Sequence, residues 1–128
     1  MGYASAVNLS SDERDLLART GEVKIETRSA TGEVHRTIIW VVVDGEDVFI
    51  RSVRGEAARW YGEALAGREI ALHAENQRIP VTVVPATDPD SVERCSAALT
   101  AKYRVDPALR TMLRPHALPT TLRVHANA

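Results

Sequence analysis

The sequence is poor in the residues that mark a secreted scaffold, a metal centre or a membrane protein. Cys95 is its one cysteine in 128 residues, so no internal disulfide can form and a thiolate zinc site is excluded. The four histidines, His35, His73, His116 and His125, lack metal-ligand spacing, and no metal is expected. The longest apolar run, Ile38 to Val43, is far short of the ~20 residues that cross a bilayer. Met1 to Asp12 shows no basic start followed by an apolar stretch, so the expected setting is the reducing cytoplasm. Sixteen basic residues against seventeen acidic ones give a net charge of -1. That leaves no broad positive field, and neither nucleic acid nor a membrane is an expected partner. No Gly-x-Gly-x-x-Gly, Walker loop or Gly-x-Ser-x-Gly elbow occurs, which argues against dinucleotide folds, NTPases and α/β hydrolases.

What is present reads as one domain over residues 1–128, a length that buries a sizeable core. Ser10 to Glu13 has the form of a capping box, followed by Leu16 and Leu17 before Gly21. The spacing predicts one short helix, the main feature of an amino-terminal extension over 1–21. Residues 22–87 read as the barrel core. Strands are expected over Glu22 to Ser29, Val34 to Val43 and Asp47 to Ser52, then over Glu69 to Ala74 and Arg78 to Thr87 across Glu75-Asn76-Gln77. Between them, Glu56 to Ala66 has helical spacing at Ala57, Trp60, Tyr61 and Ala64, with Gly67 as its stop. Residues 88–113 are helical: Asp88-Pro89 starts a helix carrying Val92, Cys95, Leu99 and Tyr103, and Asp106-Pro107 starts a shorter one through Met112. Residues 114–128 hold a closing strand, Thr120 to His125. Cys95, on the apolar stripe of its helix, reads as a small buried hydrophobe. Six strands with helices outside them predict a mainly β, closed or nearly closed barrel, an open sheet being the alternative.

Two hairpins set the register. A three-residue loop, Ala30-Thr31-Gly32, pairs Val23 with Ile39, Ile25 with Thr37 and Glu26 with Arg36. Asp44-Gly45, read as a two-residue turn, pairs Val41 with Val48, Trp40 with Phe49 and Ile39 with Ile50. Alternation then gives the sheet one apolar face of Val23, Ile25, Ile39, Val41, Val43, Val48 and Ile50. The other face carries Arg28, Arg36, Ile38, Trp40, Phe49 and Arg51. It is too apolar for water and too charged for a dry core, so a ligand is expected there.

The segment Arg51-Ser52-Val53-Arg54-Gly55, leading into Arg59-Trp60-Tyr61, runs from a strand end through a glycine turn to an expected helix start. Backbone N–H groups and guanidiniums so placed suit an anion such as phosphate. The plain alternative is solvated arginines pairing with Glu56 and Glu63. Trp40 and Trp60 are likewise either ring-facing residues or core and dimer contacts.

Taken together, Arg28-Ser-Ala-Thr-Gly-Glu-Val-His-Arg36-Thr-Ile-Ile-Trp40, Arg51-Ser-Val-Arg54-Gly and Arg59-Trp60-Tyr61 resemble the flavin- and deazaflavin-binding split-barrel superfamily, the pyridoxamine phosphate oxidase-like proteins. The likeness is strongest to a bacterial family of uncharacterised function related to deazaflavin-dependent nitroreductases. It covers about Val23 to Ala86, and Tyr103 after Lys102 and the final strand extend it. The resemblance implies a six-stranded FMN-binding split barrel, a homodimer, and an oxidoreductase moving hydride to or from a small organic substrate through FMN or a deazaflavin coenzyme. It places Arg36, Arg51, Ser52, Val53 and Arg54 along the cofactor's phosphate and ring, with Trp60 flanking them. Ile38, Trp40 and Gly55 join the candidate cofactor site from the mixed face and the turn. No catalytic acid or base stands out. Glu63 and Gly67-Arg68 depart from the pattern of the deazaflavin nitroreductases, leaving the choice of cofactor open. A non-catalytic barrel holding a flavin or haem, and a plain dimerisation module, are the competing readings.

Overall fold

One bent segment brings the sheet back on itself. In the computed structural model, which describes residues 7–127, the strands are β1 (Val23–Arg28), β2 (Val34–Ile39), β3 (Val41–Asp44), β4 (Asp47–Ile50), β5 (Ile70–Ala74), β6 (Gln77–Pro85) and β7 (Leu122–Ala126). All pair antiparallel in the order β2-β1-β5-β6-β7-β4-β3. The two end strands, β2 and β3, are separated in the chain by Trp40 alone, so the expected single strand Val34 to Val43 is two strands with a bend. Its first half pairs with β1 and its second with β4, and this bent segment is what curls the sheet into a split barrel. The helices are α1 (Ser11–Arg19), α2 (Arg59–Leu65), α3 (Pro89–Lys102) and α4 (Leu109–Met112). The expectations that fell on residues 1–6 and 128 lie outside the described residues.

Local chemistry sets most boundaries. Ser10 and Glu13 form the reciprocal capping box of α1, and Asp88 caps α3 with Pro89 in its first turn. The first hairpin has the expected register, Val23 opposite Ile39 and Glu26 opposite Arg36. The second does not. Val41 faces Ile50 and Val43 faces Val48, while Phe49 is opposite Val42 rather than Trp40. The turn is Gly45-Glu46, closed by Asp44 opposite Asp47. A type I′ turn at Asp44-Gly45 needs positive φ at both centres, and here Gly45 alone has it, at 63°. Two facing aspartates would repel, but Arg94 of α3 bridges them, Nε donating to Asp44 at 2.6 Å and Nη2 to Asp47 at 2.8 Å. A shift of two residues leaves every side chain on its expected face.

Other corrections are smaller. The β5–β6 turn has two residues, Glu75 and Asn76, both at positive φ, and Gln77 already pairs with Ala74. The last strand starts at Leu122, because Leu118–Thr120 makes a 3-10 turn. The helix expected from Glu56 begins at Arg59, after a 3-10 turn over Gly55–Ala57 and an extended Ala58. Ala57 is accordingly exposed and Ala58 buried.

Two cores result. The inner one holds the expected apolar face, Val23, Ile25, Ile39, Val41, Val48 and Ile50 with Val43 at its margin, together with Leu72, Val81 and Leu122 from the later strands. Leu16 and Leu17 of α1 and Trp60 and Tyr61 of α2 cap it. The outer core joins the far side of the bend to α3 and α4: Trp40, Val42 and Phe49 pack with Cys95, Leu99, Tyr103 and Met112. Much of the mixed face is therefore covered by the chain's own helices. Cys95 is fully buried, and desolvation pushes its thiol up to about 11, as befits an inert packing residue.

Candidate functional site

At the Trp40 bend the two cores part and leave a cleft of about 490 Å³, within the size range of small-molecule sites. One wall is the bend, with Ile38 and Trp40; a second is the exit from β4, with Val53 and Arg54; a third is the start of α2, with Ala58, Arg59 and Trp60. The segment after α3 supplies Asp106, Ala108 and Met112, and Glu22 lies at the foot of β1.

Of the residues expected to line a site, Ile38, Trp40, Arg51, Val53, Arg54 and Trp60 do converge on this cleft. Arg36, Ser52 and Gly55 do not line it. Arg36 is exposed on β2, opposite Glu26. Ser52 is buried and structural: its N–H donates to Thr120 Oγ1 at 2.9 Å and its hydroxyl to the Gly55 carbonyl at 2.8 Å. Gly55 is buried at φ 74°, where an added Cβ would stand 3.0 Å from the His116 carbonyl oxygen. This turn sets the direction in which Val53 and Arg54 leave the strand.

The arginines differ sharply in commitment. Arg51 is 1% exposed. Its Nε donates to Thr121 Oγ1, Nη1 to Ser96 Oγ and the Met112 carbonyl, and Nη2 to the Val92 carbonyl, all at 2.9 to 3.0 Å. Four of the roughly five donors of a guanidinium are thus spent on α3, α4 and the residue that leads into β7. Burial lowers its pKa, no carboxylate among the described residues pairs with it, and its charge stays beneath the cleft. Arg54, by contrast, is exposed and makes no hydrogen bond or ion pair among the described residues. Arg59 reaches Glu63 only at 4.0 Å. Arg54 and Arg59 are the cations free to meet a ligand.

The aromatic walls are fixed from behind. Trp40 stacks on Tyr103, centroids 3.9 Å apart and planes 5° apart. Trp60 meets Tyr61 edge-on at 6.1 Å. Tyr103 donates to the Gly21 carbonyl at 2.6 Å; burial, with Glu22 and Asp106 nearby, pushes its phenol up to about 12.

Sequence reasoning missed Glu22, Asp106, Ala108 and Met112 as lining residues. Nothing local marks them: Glu22 reaches the cleft from the foot of β1, and Asp106, Ala108 and Met112 reach it through the return of the segment after α3 across the bend. It also missed what Glu63 does. The Glu63 carboxylate accepts from Thr27 Oγ1 at 2.7 Å and lies 3.1 Å from His35 Nδ1, which anchors α2 to β1 and β2. Among the described residues no group of three or more His, Cys, Asp or Glu could hold a metal, and no helix is long and apolar enough to cross a membrane.

A family model for an uncharacterised protein conserved in bacteria, DUF2255, matches residues 13–124. The chain belongs to this family. No curated protein matches it in sequence. Solved structures share its fold at low identity. The conserved hypothetical protein Rv2991 of Mycobacterium tuberculosis aligns with a TM-score of 0.63 and 12% identity, over 100% of this chain and 85% of its own. A Listeria innocua protein described as a candidate pyridoxamine 5′-phosphate oxidase gives 0.60 and 10%, over 91% and 90%. HutZ, the haem storage protein of Vibrio cholerae, gives 0.58 and 11%, over 95% and 92%. Two longer neighbours are covered over 58% and 56% of their own length. These likenesses show the fold, a split barrel.

Proposed function

We propose that this DUF2255 protein holds a phosphorylated flavin or deazaflavin in the cleft at the Trp40 bend and works as an oxidoreductase on a small organic substrate. The observation that carries this is the pairing of two ring walls, Trp40 and Trp60, with two exposed cations in one cleft, Arg54 and an Arg59 that touches Glu63 only at 4.0 Å. A flat molecule with an anionic arm fits that arrangement: rings pack the plane and guanidiniums take the phosphate. Arg51 supports the same end from below as a fixed positive charge. The bound cofactor would supply hydride chemistry; the chain binds it, orients it and excludes water. Likeness to the fold of a candidate oxidase favours this reading, and the relation to deazaflavin nitroreductases read from the Arg-Trp-Tyr segments is its finer form.

A homodimer belongs to the same proposal. Val34 and Ile38, 46% and 57% exposed, flank Arg36 on one side of β2, an apolar stripe that a second copy would cover. Sedimentation showing a monomer at micromolar concentration would remove that part.

Titration of the protein with FMN and with the deazaflavin coenzyme tests the cofactor assignment. Both tryptophans of the chain line the cleft, so their fluorescence reads it directly. Saturable quenching by one of the two is expected, with Arg54→Ala weakening it by about tenfold, the loss of one charge-assisted contact of ~1.4 kcal/mol. No binding, or unchanged affinity in the variant, would overturn the assignment. A non-catalytic carrier is the second reading, favoured by the fold shared with a haem storage protein. Binding without substrate-dependent reoxidation would support it.

A further inference from the structure

The cleft is lined by charges of both signs that do not neutralise one another. Arg54 and Arg59 sit on its β4 and α2 walls, Glu22 and Asp106 on the side of β1 and the α3 exit. Among the described residues the ion pair that any of these four makes is Arg59 with Glu63, at 4.0 Å. No two of these four charges lie within 4.0 Å of one another in an ion pair.

Both carboxylates belong to segments bonded to Tyr103, whose hydroxyl donates to the carbonyl of Gly21, the residue before Glu22, at 2.6 Å, and Tyr103 backs the Trp40 ring that forms the cleft wall. Asp106 is held in position: its N–H donates to the Tyr103 carbonyl at 2.9 Å, and its Oδ1 accepts from the Ala108 N–H at 2.9 Å. That leaves Oδ2 free. The neighbouring cation does not cancel this charge. Lys102, 5.3 Å from the Tyr103 ring centroid, is committed to the carbonyls of Leu17 and Val41 at 2.9 and 2.6 Å.

We propose that the Glu22–Asp106 end of the cleft binds the protonated amine or amidinium of a small organic cation, which is the class of substrate that shares the cleft with the cofactor. Two carboxylates beside an indole face give a cation both charge and π-surface, while a neutral or anionic molecule of the same shape gains neither. Arg54 and Arg59, on the β4 and α2 walls, repel a cation there and fix its orientation relative to an anionic arm. This rests on reading the cleft as a binding site, yet its test does not need the cofactor.

Benzamidine, with benzamide as its neutral counterpart and benzoate as the anion, is titrated against tryptophan fluorescence in the protein alone and again in the presence of FMN. The expected result is saturable binding of benzamidine at least tenfold tighter than benzamide, with benzoate not competing at that end. Glu22→Gln and Asp106→Asn are both at exposed positions, and their unfolding midpoints control for folding. Each is expected to weaken benzamidine at least threefold and the pair at least tenfold, with benzamide unchanged. Equal affinity for benzamidine and benzamide, absence of benzamidine binding, or no loss in the double variant overturns the proposal. FMN binding without preference for the cation sinks this inference and spares the cofactor reading. Cation preference without FMN binding does the reverse.

Discussion

Trp40 and Tyr103 lie face to face, 3.9 Å between centroids and 5° between planes, one on the bend between β2 and β3 and the other at the end of α3. That stack joins the outer helix to the point where the sheet turns back on itself, and its exposed side is a wall of the cleft. The Tyr103 hydroxyl adds a bond to the Gly21 carbonyl at 2.6 Å, so one side chain ties α3, the bend and the entry to β1 together. Tyr103→Phe keeps the stack and loses that bond, for a cost of about 1 kcal/mol. Tyr103→Ala removes the ring and is expected to cost about 3 to 5 kcal/mol. Urea unfolding followed by far-ultraviolet circular dichroism measures both; equal losses in the two variants would show that the ring contributes nothing beyond the hydroxyl.

Much of this was legible in the sequence, because period and turn chemistry are local. The capping box at Ser10, the Asp88-Pro89 helix start, the first hairpin and the inner apolar face all follow from residues a few positions apart. The second hairpin slipped by two residues because Arg94, about fifty positions away, relieves the Asp44–Asp47 repulsion that the sequence alone counts against that register. The mixed face was read as a ligand surface throughout, whereas Trp40, Phe49 and Arg51 are largely covered by α3. A sequence shows that such a face needs covering; it does not show that a helix starting forty residues later does the covering. The cleft is what that helix leaves uncovered, which explains why Glu22 and Asp106 gave no warning.

Glu26 opposes Arg36 in the register, as expected, and its side chain, 4% exposed, is bonded further to residues of the neighbouring strands. Arg78 donates to both of its oxygens at 3.0 and 3.1 Å, and it lies 2.7 Å from His73 Nε2 and 3.1 Å from Arg28. The Arg78 guanidinium, above all, holds the carboxyl down at about 2, from 4.5. A lowered carboxyl pKa stabilises the fold fully above about pH 4.5. That contribution is lost as the pH falls toward 2, since the unfolded chain takes up the proton first. Glu26→Gln should cost on the order of 3 kcal/mol at pH 7. The gap between wild type and variant should close between pH 4.5 and 2 in denaturant titrations. A gap independent of pH would mean that the carboxylate's charge is irrelevant.

Gly55 and Gly45 separate strain from contact. Both have positive φ, 74° and 63°, so alanine at either site pays the left-handed penalty of about 1 kcal/mol. Nothing lies within 4 Å of a Cβ at Gly45, whereas at Gly55 the Cβ meets the backbone oxygen of His116 at 3.0 Å. Gly55→Ala should therefore destabilise the protein measurably more than Gly45→Ala, and it should also shift Val53 and Arg54. Thermal unfolding compares the first effect; FMN titration of the folded variant reads the second. Equal midpoints would show that the His116 loop yields freely.

Lys102 gives the pH dependence at the other extreme. Its ammonium donates to the carbonyls of Leu17 and Val41, pinning the end of α3 to α1 and β3, and desolvation lowers its pKa to about 8 from 10.5. Below pH 8 the folded state carries the full cost of a buried charge. Between pH 8 and 10.5 the unfolded chain binds a proton that the folded one has released, so this group's contribution rises with pH across that window. The neutral amine keeps two N–H donors for the same two carbonyls. Cys95 and Tyr103 act in the opposite sense, raised by burial to about 11 and about 12, so the wild-type curve alone does not isolate the effect. The difference between wild type and Lys102→Met does, because both proteins share the other two groups. Stability relative to the variant should increase from pH 8 to pH 10.5 in urea titrations. A constant difference would show that the ammonium is solvated and that its two hydrogen bonds carry no desolvation cost.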